Sequence, residues 1–134
     1  MRQLEGAHQA ALFEWAEHMR GIYPEIKRMF HVPNGGKRDR VTAARLKAEG
    51  VKPGVPDIVL PAPRGAYHGL WIELKVDGGK PTKEQLEWLD YLNSVGYCAL
   101  LCYGWQTARE EIEMYLRLPK PKTEDDKGEH NGEL

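Results

Sequence analysis

The stretches Gly54-Val-Pro-Asp-Ile-Val-Leu60 and Leu70-Trp-Ile-Glu-Leu-Lys-Val76 decide the fold of this chain. Both are short apolar runs, and a segment rich in proline and glycine separates them. Two such runs joined by a turn are typical of a β-hairpin. Because side chains in a strand alternate between the two faces, Glu73 and Lys75 are predicted to point to one side and their apolar neighbours to the other.

Asp57 opens the first of these strands, and this position suggests a metal site. If the strands pair so that Asp57 lies beside Glu73, two like charges converge, and a cation is needed to keep both carboxylates ionised. Oxygen ligands of this kind suit Mg²⁺ or Mn²⁺. Lys75 could then hold an attacking water or neutralise charge on a phosphate. Taken alone, the same residues also fit a strand start followed by a solvated ion pair.

The first helix, predicted from about Glu5 to Ile22, carries an apolar stripe along one face. The stripe consists of Leu12, Trp15, Ala16, Met19 and Ile22. At 100° per residue, Glu5 falls within about 20° of Leu12, whereas Glu14 falls on the opposite face. An acid on the inner side of the first turn either compensates the helix dipole or reaches an internal cation. We therefore prefer Glu5 to Glu14 as a candidate ligand.

A helix is predicted after the hairpin, beginning at the sequence Pro81-Thr-Lys-Glu-Gln85. Thr82 and Gln85 have the spacing of a capping box, and Gly96 suits the position just after the helix end. The predicted inner face of this helix is formed by Leu86, Leu89, Leu92 and Val95.

The remaining elements complete an α/β fold. A short helix is predicted between Asp39 and Glu49, a third strand from Tyr97 to Tyr103 and a last helix from Thr107 to Leu118, with a second capping box at Thr107 and Glu110. The helix between the second and third strands makes that pair parallel. We therefore expect a mixed β-sheet flanked by helices.

Composition places the chain among single-domain proteins. It has 134 residues, 41% of them hydrophobic, which is enough to build one core. Residues 1–118 form the predicted domain, and residues 119–134 read as a flexible charged tail. No apolar run is long enough to span a bilayer, and the N-terminus has no secretory h-region, so we expect a cytoplasmic protein. Cys98 and Cys102 are too far apart along one strand for a disulfide and are expected to pack as small hydrophobic residues.

Basic residues are concentrated in one part of the chain, although the formal net charge is only -1. Between residues 27 and 52 they are Lys27, Arg28, Lys37, Arg38, Arg40, Arg45, Lys47 and Lys52. Such a stretch is often a solvated helix face, but beside a metal site it favours contact with backbone phosphates. Trp71 and Trp105 could stack on bases, although burial is the more common use of tryptophan.

Four segments together resemble a known family. Gly54-Val-Pro-Asp-Ile58, Trp71-Ile-Glu-Leu-Lys-Val76, Pro81-Thr-Lys-Glu-Gln85 and His31-Val-Pro-Asn-Gly-Gly-Lys-Arg38 are similar to the motifs of a stand-alone VRR-NUC domain. This domain belongs to the PD-(D/E)XK nuclease superfamily, which has a restriction-endonuclease-like core. The resemblance extends from about Glu5 to about Leu116.

The resemblance implies a Mg²⁺- or Mn²⁺-dependent DNA endonuclease. Its metal ligands would be Glu5, Asp57, Glu73 and the Leu74 carbonyl, with Lys75 assisting hydrolysis and Gln85 at the edge of the catalytic pocket. Candidate DNA contacts are Asn34, Lys37, Arg38 and the neighbouring Arg40.

The same resemblance bears on the substrate and the assembly. Short stand-alone members of phage or prophage type resemble homodimeric enzymes that act on Holliday junctions. Two alternatives stay open: a nuclease of flaps or nicks in DNA repair, and a DNA-binding module that keeps the fold without cutting.

Overall fold

The computed structural model describes residues 2–33 and 39–125, with only the backbone described for Arg2 and Gln3. The elements in chain order are α1 (Arg2–His18), a 3-10 helix (Pro24–Arg28), β1 (Phe30–His31), α2 (Arg40–Ala48), β2 (Ile58–Leu60), β3 (Leu70–Lys75), α3 (Lys83–Ser94), β4 (Cys98–Tyr103) and α4 (Trp105–Leu116). Within these two ranges, no helix has the length and apolar character to cross a membrane.

The strands form one mixed sheet in the order β1-β2-β3-β4. β2 pairs with β3 antiparallel, as the hairpin prediction required, and β3 pairs with β4 parallel through the α3 crossover. The predicted mixed sheet is thus confirmed. β1, which pairs antiparallel with β2, was not predicted because two residues are too few to show a period of two.

Helices cover both faces of the sheet. On one face, α1 and α4 pack against Ile72 and Leu74 of β3 to form the larger apolar core. On the other face, α3 contributes Leu89 and Leu92, which pack against β3 and β4. The second face is the one that carries Glu73 and Lys75, because these residues alternate with Ile72 and Leu74 along β3.

The start and end of α3 follow the sequence prediction. Gln85 N–H donates to Thr82 Oγ1 at 3.1 Å, and Thr82 N–H donates to Gln85 Oε1 at 2.8 Å, which is the reciprocal pair of a capping box. Gly96 follows the helix with a φ of 99°, a conformation that favours glycine. Local capping chemistry therefore fixes both ends.

Two predicted apolar stripes were too wide. Ile22 is 66% exposed because α1 ends at His18, so the residue lies beyond the helix. Leu86 and Val95 of the α3 stripe are also exposed, at 45% and 40%. The reason is that α3 lies over only two strands, and a narrow stripe of Leu89 and Leu92 is enough to cover them.

The predicted start of α4 was wrong. The helix begins at Trp105, two residues before Thr107, and Gly104 occupies the N-cap with a φ of 87° and no side-chain cap. A residue from α1 takes the place of a local cap, because His8 Nδ1 accepts a hydrogen bond from Trp105 N–H at 3.0 Å. A contact made through tertiary packing overrides the local signature of Thr107 and Glu110.

The two cysteines are free thiols, as expected from their spacing on β4. Cys102 is buried and Cys98 is half-buried, and both belong to the packing between the sheet and α4. Burial raises the pKa of Cys102 to about 12, so its thiol stays protonated at neutral pH. Trp71 and Trp105 also pack against the apolar clusters, which is the structural use predicted for them.

Candidate functional site

The hairpin register brings Asp57 and Glu73 together. Ile58 pairs with Ile72 in the β2–β3 ladder, so the next position places Asp57, immediately before β2, opposite Glu73. Glu73 is almost completely buried, with 2% of its surface exposed, and Asp57 is half-buried. Two carboxylates from separate segments thus meet on the sheet face that α3 partly covers.

Pro56 changes the ladder at this point. One further step in the register would set Pro56 opposite Leu74, but proline has no N–H to donate to the Leu74 carbonyl. The Leu74 N–H, for its part, donates to Asp57 Oδ2 at 2.9 Å. In a strand, the N–H and C=O of one residue point toward the same neighbouring strand. The Leu74 carbonyl therefore points toward the Asp57 side and has no ladder donor at Pro56.

The electrostatics of Glu73 are unfavourable for a lone carboxylate. Burial, a hydrogen bond with the Asp57 side chain and the Asp57 charge raise the pKa of Glu73 to about 9, whereas Lys75 acts in the opposite direction. Glu73 Oε1 is buried without a hydrogen-bond partner among the described residues. A buried oxygen with no donor costs free energy unless a cation or donor satisfies it. The site is therefore suited to a positively charged ligand.

Glu5 and Lys75 approach the acid pair from its open end. The charge of Glu5, on the first helix, also raises the pKa of Glu73, with a smaller effect than that of Asp57. A Cβ placed on Gly79 would lie 3.7 Å from Glu5 Oε1 and 3.6 Å from Lys75 Cδ. Gly79 thus leaves space between the two side chains. Lys75 is held at the strand end because its carbonyl accepts from Gly104 N–H at 2.8 Å.

The donor set fits an ion that keeps most of its water. Across residues 2–33 and 39–125, no three His, Cys, Asp or Glu side chains are grouped closely enough to enclose a metal ion by themselves. Mg²⁺ does not require such a cage, since it is commonly held by one or two carboxylates together with waters and substrate phosphates. Asp57, Glu73 and the Leu74 carbonyl match that requirement, with Glu5 nearby.

Gln85 has a structural task in the capping box of α3, as described above. Its side-chain oxygen accepts from Thr82 N–H, which leaves the side-chain NH₂ for other partners. The start of α3 lies against the segment before Asp57, since a Cβ on Gly54 would lie 2.8 Å from the backbone nitrogen of Gln85. Gln85 is therefore anchored close to the start of the β2 strand.

The predicted DNA contacts are only partly described. Asn34, Lys37 and Arg38 lie outside the described residues. Arg40 is exposed and is the first residue of α2, whose N-cap is Asp39. Lys27 and Arg28 at the end of the 3-10 helix are exposed as well.

Sequence reasoning missed two residues that shape the site. Pro56 appeared only as part of the stretch that contains Asp57, although its missing N–H leaves the Leu74 carbonyl without a ladder donor. Gly79 was not considered, although it makes room for Glu5 and Lys75. The Gly78-Gly79 pair after the strand was the available signal, but only the fold shows which side chains converge on it.

Comparisons with known proteins point to one family. Residues 4–106 match the family model of the VRR-NUC domain. A solved structure described as a VRR_NUC domain protein superposes with a TM-score of 0.75 at 33% sequence identity, covering 87% of this chain and 90% of that one. No curated protein matches the chain.

Proposed function

Because the chain belongs to the VRR-NUC domain family, whose members are generally nucleases, we propose that it is a DNA endonuclease that depends on Mg²⁺ or Mn²⁺. The observation that supports this most strongly is the buried Glu73 carboxyl, which meets Asp57 and has an oxygen without a partner. Such a costly arrangement is expected where a cation binds.

The metal ligands would be Asp57, Glu73 and the Leu74 carbonyl, with Glu5 as a direct ligand or through a water. When bound, the ion polarises the phosphate and lowers the pKa of a coordinated water. The pairing of β2 with β3 sets Asp57 opposite Glu73. Leu74 N–H donates to Asp57 Oδ2 and fixes this carboxylate. These residues give the site its geometry.

Lys75 shares the sheet face of Glu73 and lies at the end of β3. Its ammonium group would orient the attacking water or neutralise negative charge on the phosphate oxygens. The NH₂ group of Gln85 would contact a phosphate or a water at the edge of the pocket while the Gln85 oxygen keeps its cap.

For the substrate, we propose branched DNA of the Holliday-junction type. The enzyme would act as a homodimer, and as a phage or prophage protein it would act in the cytoplasm of the host cell. The basic stretch around Arg40 would contact the phosphate backbone. A domain of this size covers little duplex alone, and two subunits related by a two-fold axis would match a symmetric branched substrate. A flap or nick nuclease would instead prefer asymmetric substrates and could act as a monomer.

The test is a cleavage assay on matched four-way, flap, nicked and linear DNA with Mg²⁺, Mn²⁺ or EDTA, combined with a measurement of size in solution. Strand breaks that need the metal and are strongest on four-way DNA are expected, from a dimeric protein. Binding to DNA without strand breaks under every metal condition would show a non-cleaving module instead. Cutting restricted to flaps would favour the repair nuclease.

A further inference from the structure

Phe30 is an exposed aromatic residue on the sheet face that carries the acid pair. It pairs with Val59 of β2, and paired residues of neighbouring strands lie on the same face. Val59 in turn pairs with Trp71, which is two residues from Glu73 on β3. Phe30, Asp57, Glu73 and Lys75 therefore share one face of the sheet.

The distance between Phe30 and Asp57 follows from the register. Asp57 is two residues from Val59, which makes it the diagonal neighbour of Phe30 across the β1–β2 pair. Diagonal neighbours lie about 7–8 Å apart, within reach of an aromatic side chain. This separation corresponds to about two base steps, since the charges of one DNA strand are spaced by about 3.4 Å along the helix axis.

Phe30 belongs to neither apolar cluster of the described residues, because α3 lies over β3 and β4. The residue is 48% exposed among the described residues. The other phenylalanine, Phe13, packs against the main core. Phe13 therefore packs in the core, whereas Phe30 does not.

Two cations lie three and two positions before Phe30 in the chain. Lys27 and Arg28 are exposed, and neither forms an ion pair within the described ranges. They lie at most about 11 Å along the chain from Phe30. The neighbouring Glu25 is directed elsewhere, because it pairs with Arg64 at 3.0 Å. Phe30 is thus an exposed aromatic residue that two exposed cations precede closely in the chain.

The exposed ring and the two cations distinguish between two possible partners of this surface. A second copy of the chain, packed through Phe30 about a two-fold axis, would bring the Lys27 and Arg28 pairs of both copies together, which is unfavourable. A nucleic acid has the complementary charge, and its bases stack on aromatic side chains without sequence preference. In branched DNA, base stacking is also interrupted at the branch, so a base there is more easily unstacked.

We propose that Phe30 is a base-stacking residue: an unstacked base of the strand held at the Asp57–Glu73 pair lies on its ring, while Lys27 and Arg28 contact the flanking phosphates. This inference rests on the proposed function and adds a contact beyond the metal site. Phe30 would fix which nucleotide faces the acid pair, because the ring and the carboxylates are on one rigid sheet.

The test uses the whole protein and four-way DNA with one unpaired 2-aminopurine at the branch, whose fluorescence falls when it stacks on a ring. Binding is measured in EDTA, and cleavage in Mg²⁺ or Mn²⁺. The variants are Phe30→Ala, Phe30→Leu, which keeps apolar bulk without an aromatic face, and Phe30→Trp. Met114→Ala is the control, since Met114 is 58% exposed on α4, which packs on the opposite sheet face.

The wild type, Phe30→Trp and Met114→Ala are expected to quench 2-aminopurine. Phe30→Ala and Phe30→Leu should lose the quench, bind about 10-fold more weakly and cut with a correspondingly lower kcat/KM, in line with the usual value of base stacking. All variants should melt close to the wild type because Phe30 is exposed.

Three results would overturn the inference. If Phe30→Leu quenched and cut like Met114→Ala, the ring would have no role in stacking. If Phe30→Ala kept the quench but converted a dimer into monomers, Phe30 would be a subunit contact. If the wild type cut no DNA with either metal, the proposed function would be refuted, and the inference with it.

Discussion

The ladder between β2 and β3 ends at one proline. Pro56 cannot donate to the Leu74 carbonyl, which is left without a ladder donor, and Leu74 N–H donates to Asp57 Oδ2. The same short segment therefore ends the β-sheet pairing, positions a carboxylate and frees a backbone oxygen. Glu73 lies directly across from Asp57, at the depth where burial raises its pKa.

Lys75→Ala tests the role of the ammonium group. We expect cleavage to fall by at least about 100-fold, which is the usual effect of losing one preorganised electrostatic contact, while Mn²⁺ affinity is nearly retained. Calorimetry and single-turnover cleavage measure the two quantities. Lys83→Ala is the control, since Lys83 is exposed and pairs only weakly with Glu87 at 3.8 Å. A parallel loss of Mn²⁺ affinity in Lys75→Ala would contradict the assigned role.

Glu73→Gln tests the electrostatic cost of the site. The folded protein holds the Glu73 proton up to about pH 9, whereas the unfolded chain releases it near 4.5, so metal-free stability must fall as pH rises through this window. Glutamine cannot titrate. We expect the variant to be more stable than the wild type at pH 7 in EDTA, by on the order of 1–3 kcal/mol.

The measurement is thermal unfolding at pH 5, 7 and 9, with EDTA and with Mn²⁺. The advantage of Glu73→Gln should grow with pH, and added Mn²⁺ should stabilise only the wild type. Identical pH profiles for the two proteins would show that Glu73 is not protonated in the metal-free fold.

At the scale of elements, a close approach between α3 and the loop before β2 sets the position of the site. Gly54 has a φ of 86°, and a Cβ at this position would lie 2.6 Å from the Glu84 carbonyl carbon. The N-terminus of α3 is thus in direct contact with the segment that leads to Asp57. Only glycine allows this packing.

Gly54→Ala and Gly50→Ala form a matched pair that tests this contact. Both residues have a positive φ, at 86° and 101°, but a Cβ on Gly50 would have no atom within 4 Å. Each variant carries the backbone cost of about 1–2 kcal/mol. Gly54→Ala should lose about 1–3 kcal/mol more, because the helix must move, and should also lose activity. Equal melting temperatures would show that α3 does not constrain the loop.

For the whole molecule, Arg64 joins parts of the chain that are far apart in sequence. It is 4% exposed, pairs with Glu25 next to the 3-10 helix start and donates from Nε to the Leu116 carbonyl at the end of α4. Lys120, at the start of the predicted tail, pairs with the same Glu25 at 3.5 Å. This network closes the fold on the side of the β2–β3 turn.

Glu25→Gln should destabilise the protein by roughly 1–3 kcal/mol, because a buried guanidinium loses its charged partner. The pKa of Glu25 is lowered first by a hydrogen bond from its own backbone N–H and then by Arg64. A lowered pKa adds stability that is present above the unfolded value near 4.5 and is lost as pH falls through the folded value.

Urea unfolding between pH 3 and pH 7 checks this prediction. The gap between the wild type and Glu25→Gln should be constant above about pH 5 and narrow on acidification. Glu113→Gln is the control, since its partner Arg117 is 65% exposed. If Glu25→Gln lost as little free energy of unfolding as Glu113→Gln, the pair of Arg64 with Glu25 would not contribute to stability.

The distribution of charge over the molecule leads to the last prediction. Replacing Lys37 and Arg38 together by Ala should weaken DNA binding at low salt and make the affinity less dependent on salt, because two phosphate contacts are lost. Fluorescence anisotropy from 50 to 200 mM salt gives the slope. Replacing Lys80 and Lys83 together by Ala, two cations that follow Glu73 in the sequence, serves as a comparison. An unchanged slope would show that Lys37 and Arg38 do not contact DNA phosphates.

The sequence alone determined the hairpin, the crossover and the ends of α3, because strand alternation, capping and glycine positions are local properties of the chain. The period of two also placed Glu73 and Lys75 on one face of their strand, whereas only the observed register sets Asp57 opposite Glu73. The tertiary structure decided the rest. The start of α4 depends on His8, the strand β1 exists only through its pairing with β2, and Glu5 reaches Gly79 because α1 packs across the sheet. Such contacts join residues far apart in the chain, and their free energy comes from burial and packing that no local pattern specifies.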